Sequence, residues 1–394
     1  MAADPVVVVS AVRTPLGAFM GELKSLSAPE LGAVAIRAAV ERAGLKPDAI
    51  QEVIMGNVLP AGVGQAPARQ AALGAGLPPA TGCMTINKVC GSGMKAAMLA
   101  HDLITLGTHS IMIAGGMESM SNAPYLLPKG RAGLRLGHGE VKDHMFLDGL
   151  EDAYDPGRLM GTFAEDCADK YRFSREAQDR YAITSLTRAQ QATRDGSFAR
   201  EIVAVTTGGK AGATVKTDEQ PLKVNLDKIP QLKPAFRKDG TVTPANSSSI
   251  SDGAAAMVLM KLSDAEKRGV APLARIVAFS AHSQEPQWFT TAPVGAIRKL
   301  FEKTGWSAKT TDLFEINEAF AVVAMAAMHD LELPHDKVNV HGGACALGHP
   351  LGASGARIMV TLLAALEKHG LKRGIASLCI GGGEATAIAL ERFA

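Results

Sequence analysis

At 394 residues the chain is long for one hydrophobic core and short for three independent ones, so two or three closely packed lobes are expected. Hydrophobic residues make up 47% and charged residues 20%, the balance of an ordinary globular protein with a large interior. With 41 basic against 39 acidic side chains the formal charge is only +2, which argues against nucleic-acid or membrane-surface roles that rest on bulk electrostatics.

The first element, "PVVVVSAVRTP" (5–15), is a β-branched run that reads as a buried strand. No charged leader and cleavage site precede it, and no apolar run in the chain reaches membrane-spanning length, so a cytoplasmic location is expected. "APELGAVAIRAAVERAGL" (28–45) has helical spacing with Gly44 as its stop. A strand at 50–60, a helix at 65–78, the extended "CMTINKVC" (83–90), a helix from Gly93 to Leu106 and the strand "SIMIAGGMESMS" (110–121) follow. Such alternation predicts an α/β fold with a mostly parallel sheet covered on both faces.

From 122 to 246 strand alternation gives way to mixed charged residues, glycines and helical patches such as "SREAQDRYAITSLTRAQQATRDG", an insertion expected to fold over the core. The alternating pattern returns at "SDGAAAMVLMKLSDAEKRG" and runs to "IASLCIGGGEATAIALERF". The two ends echo each other. "CGSGMKAAMLAHDLITLG…SIMIAGGMES" and "LGASGARIMVTLLAALEKHG…IASLCIGGGEAT" each open a helix from a Ser-Gly turn and lead to a Gly-Gly strand end followed by Glu118 or Glu384. Two similar halves facing each other would share one glycine-rich seam.

Five cysteines (Cys83, Cys90, Cys167, Cys345, Cys379) are scattered without a CxxC pair, so neither a disulfide framework nor a zinc site is suggested. Cys90 sits where a helix begins, and unpaired N–H groups there would favour a thiolate, while Gly91, Ser92 and Gly93 leave room for a substrate. A cysteine that merely fills core space is the alternative. Lys88 and Lys95 could add positive potential or be surface charges. His349, in the glycine-dense "GGACALGHPLGASGAR", is a candidate proton acceptor once a nucleophilic cysteine is near. Cys379 in "SLCIGGGEA" could be a buried filler or a second acid/base thiol, with the following glycines offering N–H groups to an oxyanion. Asn317 and Glu318 precede an apolar helix and could cap it; an amide that holds a catalytic water is the other possibility.

"NKVCGSGMKA", "NEAFA", "GHPLGASGAR" and "CIGGGEA", in that order, resemble the thiolase family. The likeness extends to "VRTPLGAF", "GGMESMSNAPY", "GTFAEDCA" and "GTVTPANSSSISDGAAA" and so covers essentially the whole chain, with the short-chain members nearest. The resemblance implies a duplicated five-layered α-β-α-β-α core with an inserted loop domain. It divides the chain into an N-terminal half (1–121, completed by 247–272), a loop domain for CoA and oligomer contacts (122–246) and a C-terminal half (273–394).

By the same resemblance Cys90 is the nucleophile, His349 its activating base, Cys379 the second acid/base and Asn317 the holder of a water. One oxyanion hole would join His349 Nε2 to that water, and the other would use the N–H groups of Cys90 and Gly381. The implied reaction is acetyl-CoA C-acetyl transfer, the reversible condensation of two acetyl-CoA to acetoacetyl-CoA and CoA, without a permanently bound cofactor or a metal. Met160, Lys223, Phe236, Ser248, Phe289, Ala319 and Phe320 match positions around CoA, and a homotetramer, a dimer of dimers, is the implied assembly.

Three departures stand out. Leu159 occupies a position where many short-chain members have His, Lys223 is a stand-in for a basic residue in a shortened segment, and "QWFTTAP" adds the bulk of Trp288 and Phe289 beside the acyl pocket. Two rivals share the scaffold: a ketoacyl synthase, against which Cys379 in its CxGG context speaks, and an inactive acyl-CoA-binding protein, against which the complete reactive set speaks.

Overall fold

The valine run forms β1 (Val6–Arg13), an inner strand of the largest sheet in the computed structural model, which describes residues 4–208 and 212–393. The same half supplies β2 (Glu52–Gly56), β3 (Gly82–Ile86), β4 (Ile111–Ser119) and β5 (Ser251–Lys261). The other half supplies β6 (Ala274–Ser283), β7 (Leu313–Ile316), β8 (Arg373–Ile380) and β9 (Glu384–Arg392). Their order across the sheet is β7-β8-β9-β6-β1-β5-β4-β2-β3.

The two halves repeat one plan. In the first, β2 runs parallel to β3 and β4, and β5 runs antiparallel to β4 and β1. In the second, β7 runs parallel to β8 and bridges Val338 in parallel where β3 would lie, while β9 runs antiparallel to β8 and β6. Within the sheet, among the described residues, the halves join where β1 meets β6, with Val7 opposite Arg275 and Val8 opposite Ala274.

The sheet is therefore mixed, not mostly parallel as the alternation predicts. In the second half the reason is local: Gly382 and Gly383 take φ of +90° and +89° and close a hairpin directly from β8 into β9. Gly115 and Gly116 lie inside β4 instead, where a Cβ would come within 2.2 Å of Ala255 O and 1.9 Å of Gly352 O. The echo of Gly-Gly-Glu is thus not an echo of geometry. Glu118 is within a strand, and Glu384 opens one.

Helices α1 (Ala28–Arg42), α2 (Pro67–Gly74) and α3 (Ser92–Thr105) belong to the first half. Between β4 and β5 the chain makes its long excursion, which includes α4 (Met160–Tyr171) and α5 (Arg175–Arg194). The second half adds α6 (Ala292–Thr304), α7 (Ala321–Leu331) and α8 (Leu351–Lys368). Period-two alternation sorts the strand residues between layers. Val7, Val53 and Met55 pack with α1 and α2, whereas Val6, Val8 and Ile54 pack with α3 and α8. Ile375, Ala385 and Ala387 pack with α6 and α7, whereas Ala376, Ile388 and Leu390 face α3 and α8. The result is five layers, α-β-α-β-α.

Helix α8 is buried at every position from Leu351 to Leu366, and its polar stripe of Ser354, Arg357 and Thr361 is met by His349, Glu315 and Glu201. It crosses α3 at glycines: a Cβ on Gly93 would lie 2.6 Å from Ala356 N, and one on Gly355 would lie 2.3 Å from Met94 N. That close crossing brings the two Ser-Gly turns together. Among the described residues no helix is long and apolar enough to cross a membrane.

Candidate active site

Between β3 and α3 the chain turns sharply at Asn87–Gly91, and Val89 is held at φ +46°, strained for a β-branched residue. Three hydrogen bonds hold it: Val89 N–H donates to Asn87 Oδ1 (2.8 Å), Lys88 N–H donates to Ser92 Oγ (2.8 Å), and Ser92 Oγ donates to Val89 O (2.6 Å). The turn presents the Cys90 thiol to a cavity of about 380 Å³. A Cβ on Gly91 would lie 2.4 Å from Ile380 Cδ1, at the end of β8.

His349 follows Gly348, whose φ is +110°, and also faces the cavity. Its Nδ1 lies 2.5 Å from Ser354 Oγ, on the first turns of α8. Ser354 Oγ has one hydrogen and donates it to Pro350 O (2.9 Å), so Nδ1 must be the donor to Ser354. In the neutral ring Nε2 is then free to accept a proton. Asn317, directly after β7, places Nδ2 3.4 Å from that Nε2. Its Oδ1 accepts from Arg357 (3.3 Å), which also holds Glu315 (3.0 Å), and this fixes which way the amide points. Asn317 caps nothing: α7 starts at Ala321 and its N-cap is Phe320.

Cys379, the penultimate residue of β8, is fully buried, off the cavity wall, and close enough to Cys90 for a charge on that sulfur to push its own thiol further up. Glu118 secures the assembly from below. It accepts from the N–H groups of Val58 (2.9 Å), Leu59 (3.1 Å) and Gly352 (2.9 Å) and from Asn57 Nδ2 (2.6 Å), pinning the start of α8 to the first half. Burial pushes its carboxyl up to about 7 despite those donors.

The electrostatics alter one sequence-based expectation. Burial pushes the Cys90 thiol up to about 11, and the N–H groups of Gly381 and of Cys90 itself offset this only in part. Burial, with the Arg357 cation, pulls His349 down to about 3, and burial holds Cys379 well above an ordinary thiol. Desolvation outweighs the helix end, so the resting pair is a neutral thiol and a neutral imidazole and not a preformed thiolate. Accordingly, alkylation of Cys90 by iodoacetamide should rise about tenfold per pH unit and continue rising past pH 9. A plateau below pH 8 would show that the thiol ionises far more easily than its burial allows.

Of the other predicted positions, Met160, Phe236, Ser248, Phe289, Ala319, Phe320 and Gly381 line the same cavity, as does Leu159. Gly161 lets α4 rest on the Phe236 ring, 2.3 Å from where a Cβ would be, and Phe236 meets Phe320 edge-on at 6.0 Å. Phe289 packs edge-on against Phe163 at 6.1 Å. Lys223 is not on this wall. Its ammonium pairs with Glu219 (2.6 Å) and Glu22 (3.5 Å), because the short helix Glu219–Lys223 aligns it with the former. Lys88 is likewise engaged, with Glu384 at 2.5 Å. Sequence reasoning missed Ser354, Arg357, Ser247 and Phe146. Only Ser354 and Arg357 carried a signal, both lying inside "GASGAR".

Two family models match the chain: "Thiolase, N-terminal domain" over residues 6–263 and "Thiolase, C-terminal domain" over residues 270–392. The chain is 50% identical over 392 residues to a protein of Dictyostelium discoideum named probable acetyl-CoA acetyltransferase, covering 99% of this chain and 94% of that one. It is 50% identical over 390 residues to the acetyl-CoA acetyltransferase of Cupriavidus necator (98% and 99% covered). To the cytosolic acetyl-CoA acetyltransferase of Mus musculus it is 49% identical over 393 residues (99% and 98%). The crystal structure of Acat5 thiolase from Ascaris suum in complex with coenzyme A superposes with a TM-score of 0.94 at 42% identity, covering 99% of this chain and 100% of that one.

Proposed function

The chain belongs to the thiolase family, and from that membership we propose that it is an acetyl-CoA C-acetyltransferase whose reactive groups are Cys90, His349, Cys379, Asn317 and Gly381. The observation that carries the residue roles is the convergence of a cavity-facing thiol, an imidazole with a free Nε2 and a second buried thiol.

In the first half-reaction Cys90 Sγ attacks the thioester carbonyl of acetyl-CoA as its proton passes to His349 Nε2. The C–S bond to CoA breaks, and Cys379 supplies the proton to the departing thiolate. Acetyl-Cys90 and CoA result. In the second, the Cys379 thiolate takes an α-proton from another acetyl-CoA, and the carbanion attacks the acetyl carbonyl. The bond to Cys90 breaks, Cys90 recovers its proton from His349, and acetoacetyl-CoA leaves. Burial that keeps the Cys379 thiolate strongly basic suits it to a weakly acidic α-proton. Protonated Nε2, with a water held by Asn317, serves one oxyanion. The N–H groups of Cys90 and Gly381, both of which favour the Cys90 thiolate, serve the other.

Neutral reactants explain how so buried a site is tolerated. A thiolate–imidazolium pair in the resting enzyme would bear its desolvation cost throughout, whereas here charged groups exist only during turnover. In the thiolysis direction the same steps run backwards, and metabolite levels set the direction.

Phe236, Phe289 and Phe320 close in the cavity, which supports short acyl groups. We expect thiolysis of acetoacetyl-CoA to exceed that of 3-ketohexanoyl-CoA by about tenfold or more in kcat/KM, and equal rates would overturn the short-chain preference. A malonyl thioester used in preference to acetyl-CoA would instead favour the ketoacyl-synthase rival. A folded protein that takes no acetyl label would favour the inactive binder.

A homotetramer fits two surfaces. Strand β3 leaves one edge unpaired, and the segment 127–141 exposes Leu127, Leu134, Leu136 and Val141. Light scattering that gave fewer than four chains per particle would count against it. The loop domain at 122–246, a cytoplasmic location, and service in fatty-acid, polyhydroxybutyrate or ketone metabolism complete the proposal.

A further inference from the structure

The turn that carries Cys90 and the turn that carries Gly381 come from opposite halves and are 291 positions apart in sequence. The first is conformationally costly, and the second is open only to glycine. Val89 is at φ +46°, and Gly382 and Gly383 are at +90° and +89°. The second turn is braced by its own half: Gln284 N–H donates to Gly383 O (2.8 Å) and Ser283 Oγ donates to Glu384 Oε1 (3.0 Å). Between the turns the apolar contact is Gly91 against Ile380, which limits approach but not sliding. Lys88 Nζ reaches across to Glu384 Oε2 at 2.5 Å, and among the described residues this is the only ion pair between the two turns. Lys88 precedes Cys90 by two residues, and Glu384 follows Gly381 by three.

We propose that the Lys88–Glu384 pair is a positioning latch that sets the Gly381 N–H against the Cys90 sulfur. It rests on the thiolase reading for its effect on turnover, though not for its effect on the thiol. Neither residue touches the cavity wall, so the pair acts through the turns and not on substrate. Its side chains are 24% and 35% exposed, so it contributes little to global stability while directing local geometry. A hydrogen-bond donor displaced by about 1 Å loses much of its value to a developing oxyanion.

The test compares the neutral double variant Lys88→Met/Glu384→Gln with the reversed pair Lys88→Glu/Glu384→Lys. Both preserve the net charge near Cys90. The neutral variant should lower kcat for acetoacetyl-CoA thiolysis about tenfold and slow Cys90 alkylation at fixed pH about threefold. Its KM should stay within about twofold and its melting temperature within about 1 °C of wild type. The reversed pair should bring both rates back to within about twofold of wild type. Unchanged rates in the neutral variant, or a reversed pair as slow as the neutral one, would overturn the latch. Wild-type protein without thiolysis, alongside the predicted alkylation pattern, would overturn the thiolase reading and leave the latch standing.

Discussion

Cys90→Ser is expected to lower acetoacetyl-CoA thiolysis by about 10⁴-fold or more, with the melting temperature almost unchanged. The change is close to isosteric, and the turn that holds the residue depends on Asn87, Ser92 and Gly91 and not on the sulfur. The loss is chemical. A serine hydroxyl ionises far less readily than a thiol, and the base available to it is an imidazole that burial and Arg357 pull down to about 3. So weak a base can assist a thiol whose proton is already polarised by attack on a thioester; for an alcohol the gap is several units wider. Steady-state thiolysis, with mass spectrometry of the chain after acetyl-CoA exposure, checks this. A serine variant within about a hundredfold of wild type would mean that another group is acylated.

Cys379→Ala is expected to separate the two half-reactions. The variant should still form acetyl-Cys90, one acetyl group per chain, yet condense acetyl-CoA about 10³-fold more slowly. Cys379 lies off the cavity wall, so its removal leaves substrate contacts in place, and the small void it creates costs about 1 kcal/mol of stability. What is lost is the strongly basic thiolate assigned to take the α-proton. Rapid-quench labelling distinguishes the steps: an acetyl-enzyme that accumulates and is discharged by added CoA is the expected result. Failure of both labelling and condensation, with the fold intact, would mean that the departing CoA thiolate has no proton source other than Cys379.

Much of this site was legible because its chemistry is packed into short runs. Cys90 with Gly91 and Gly93, His349 with Gly348, and Cys379 with Gly382 and Gly383 each announce a turn, and in each a glycine meets a close contact or a positive φ in the structure. The alternation of strand and helix made a sheet covered on both faces legible, because Val6–Val9 and Val53–Met55 divide their side chains between two cores, whereas the five layers came with the family resemblance.

The rest depends on partners distant in sequence. Nothing local distinguishes Ser354 as the acceptor that leaves His349 Nε2 bare, or Arg357 as the group that turns Asn317. Nor does local pattern reveal that β4 launches an insertion while β8 folds straight back on itself, since both carry Gly-Gly. Asn317 looked like a helix cap because its residue type suits one, and its helix proved to start four residues later. Lys223 has the expected charge, but Glu219 one helical turn earlier claims it. The helix behind Cys90 does begin there, at Ser92, yet burial leaves the thiol up at about 11.

The glycine crossing of α3 and α8 has a consequence for how this protein can fail. His349, Ser354 and Arg357 ride with one helix and Cys90 with the other, so neither half encloses a working centre by itself. Turnover is therefore a readout of docking between the halves. In a denaturant titration, activity should vanish no later than near-ultraviolet dichroism. If one half loosens before the other melts, a stretch of the curve should contain ample secondary structure and no catalysis.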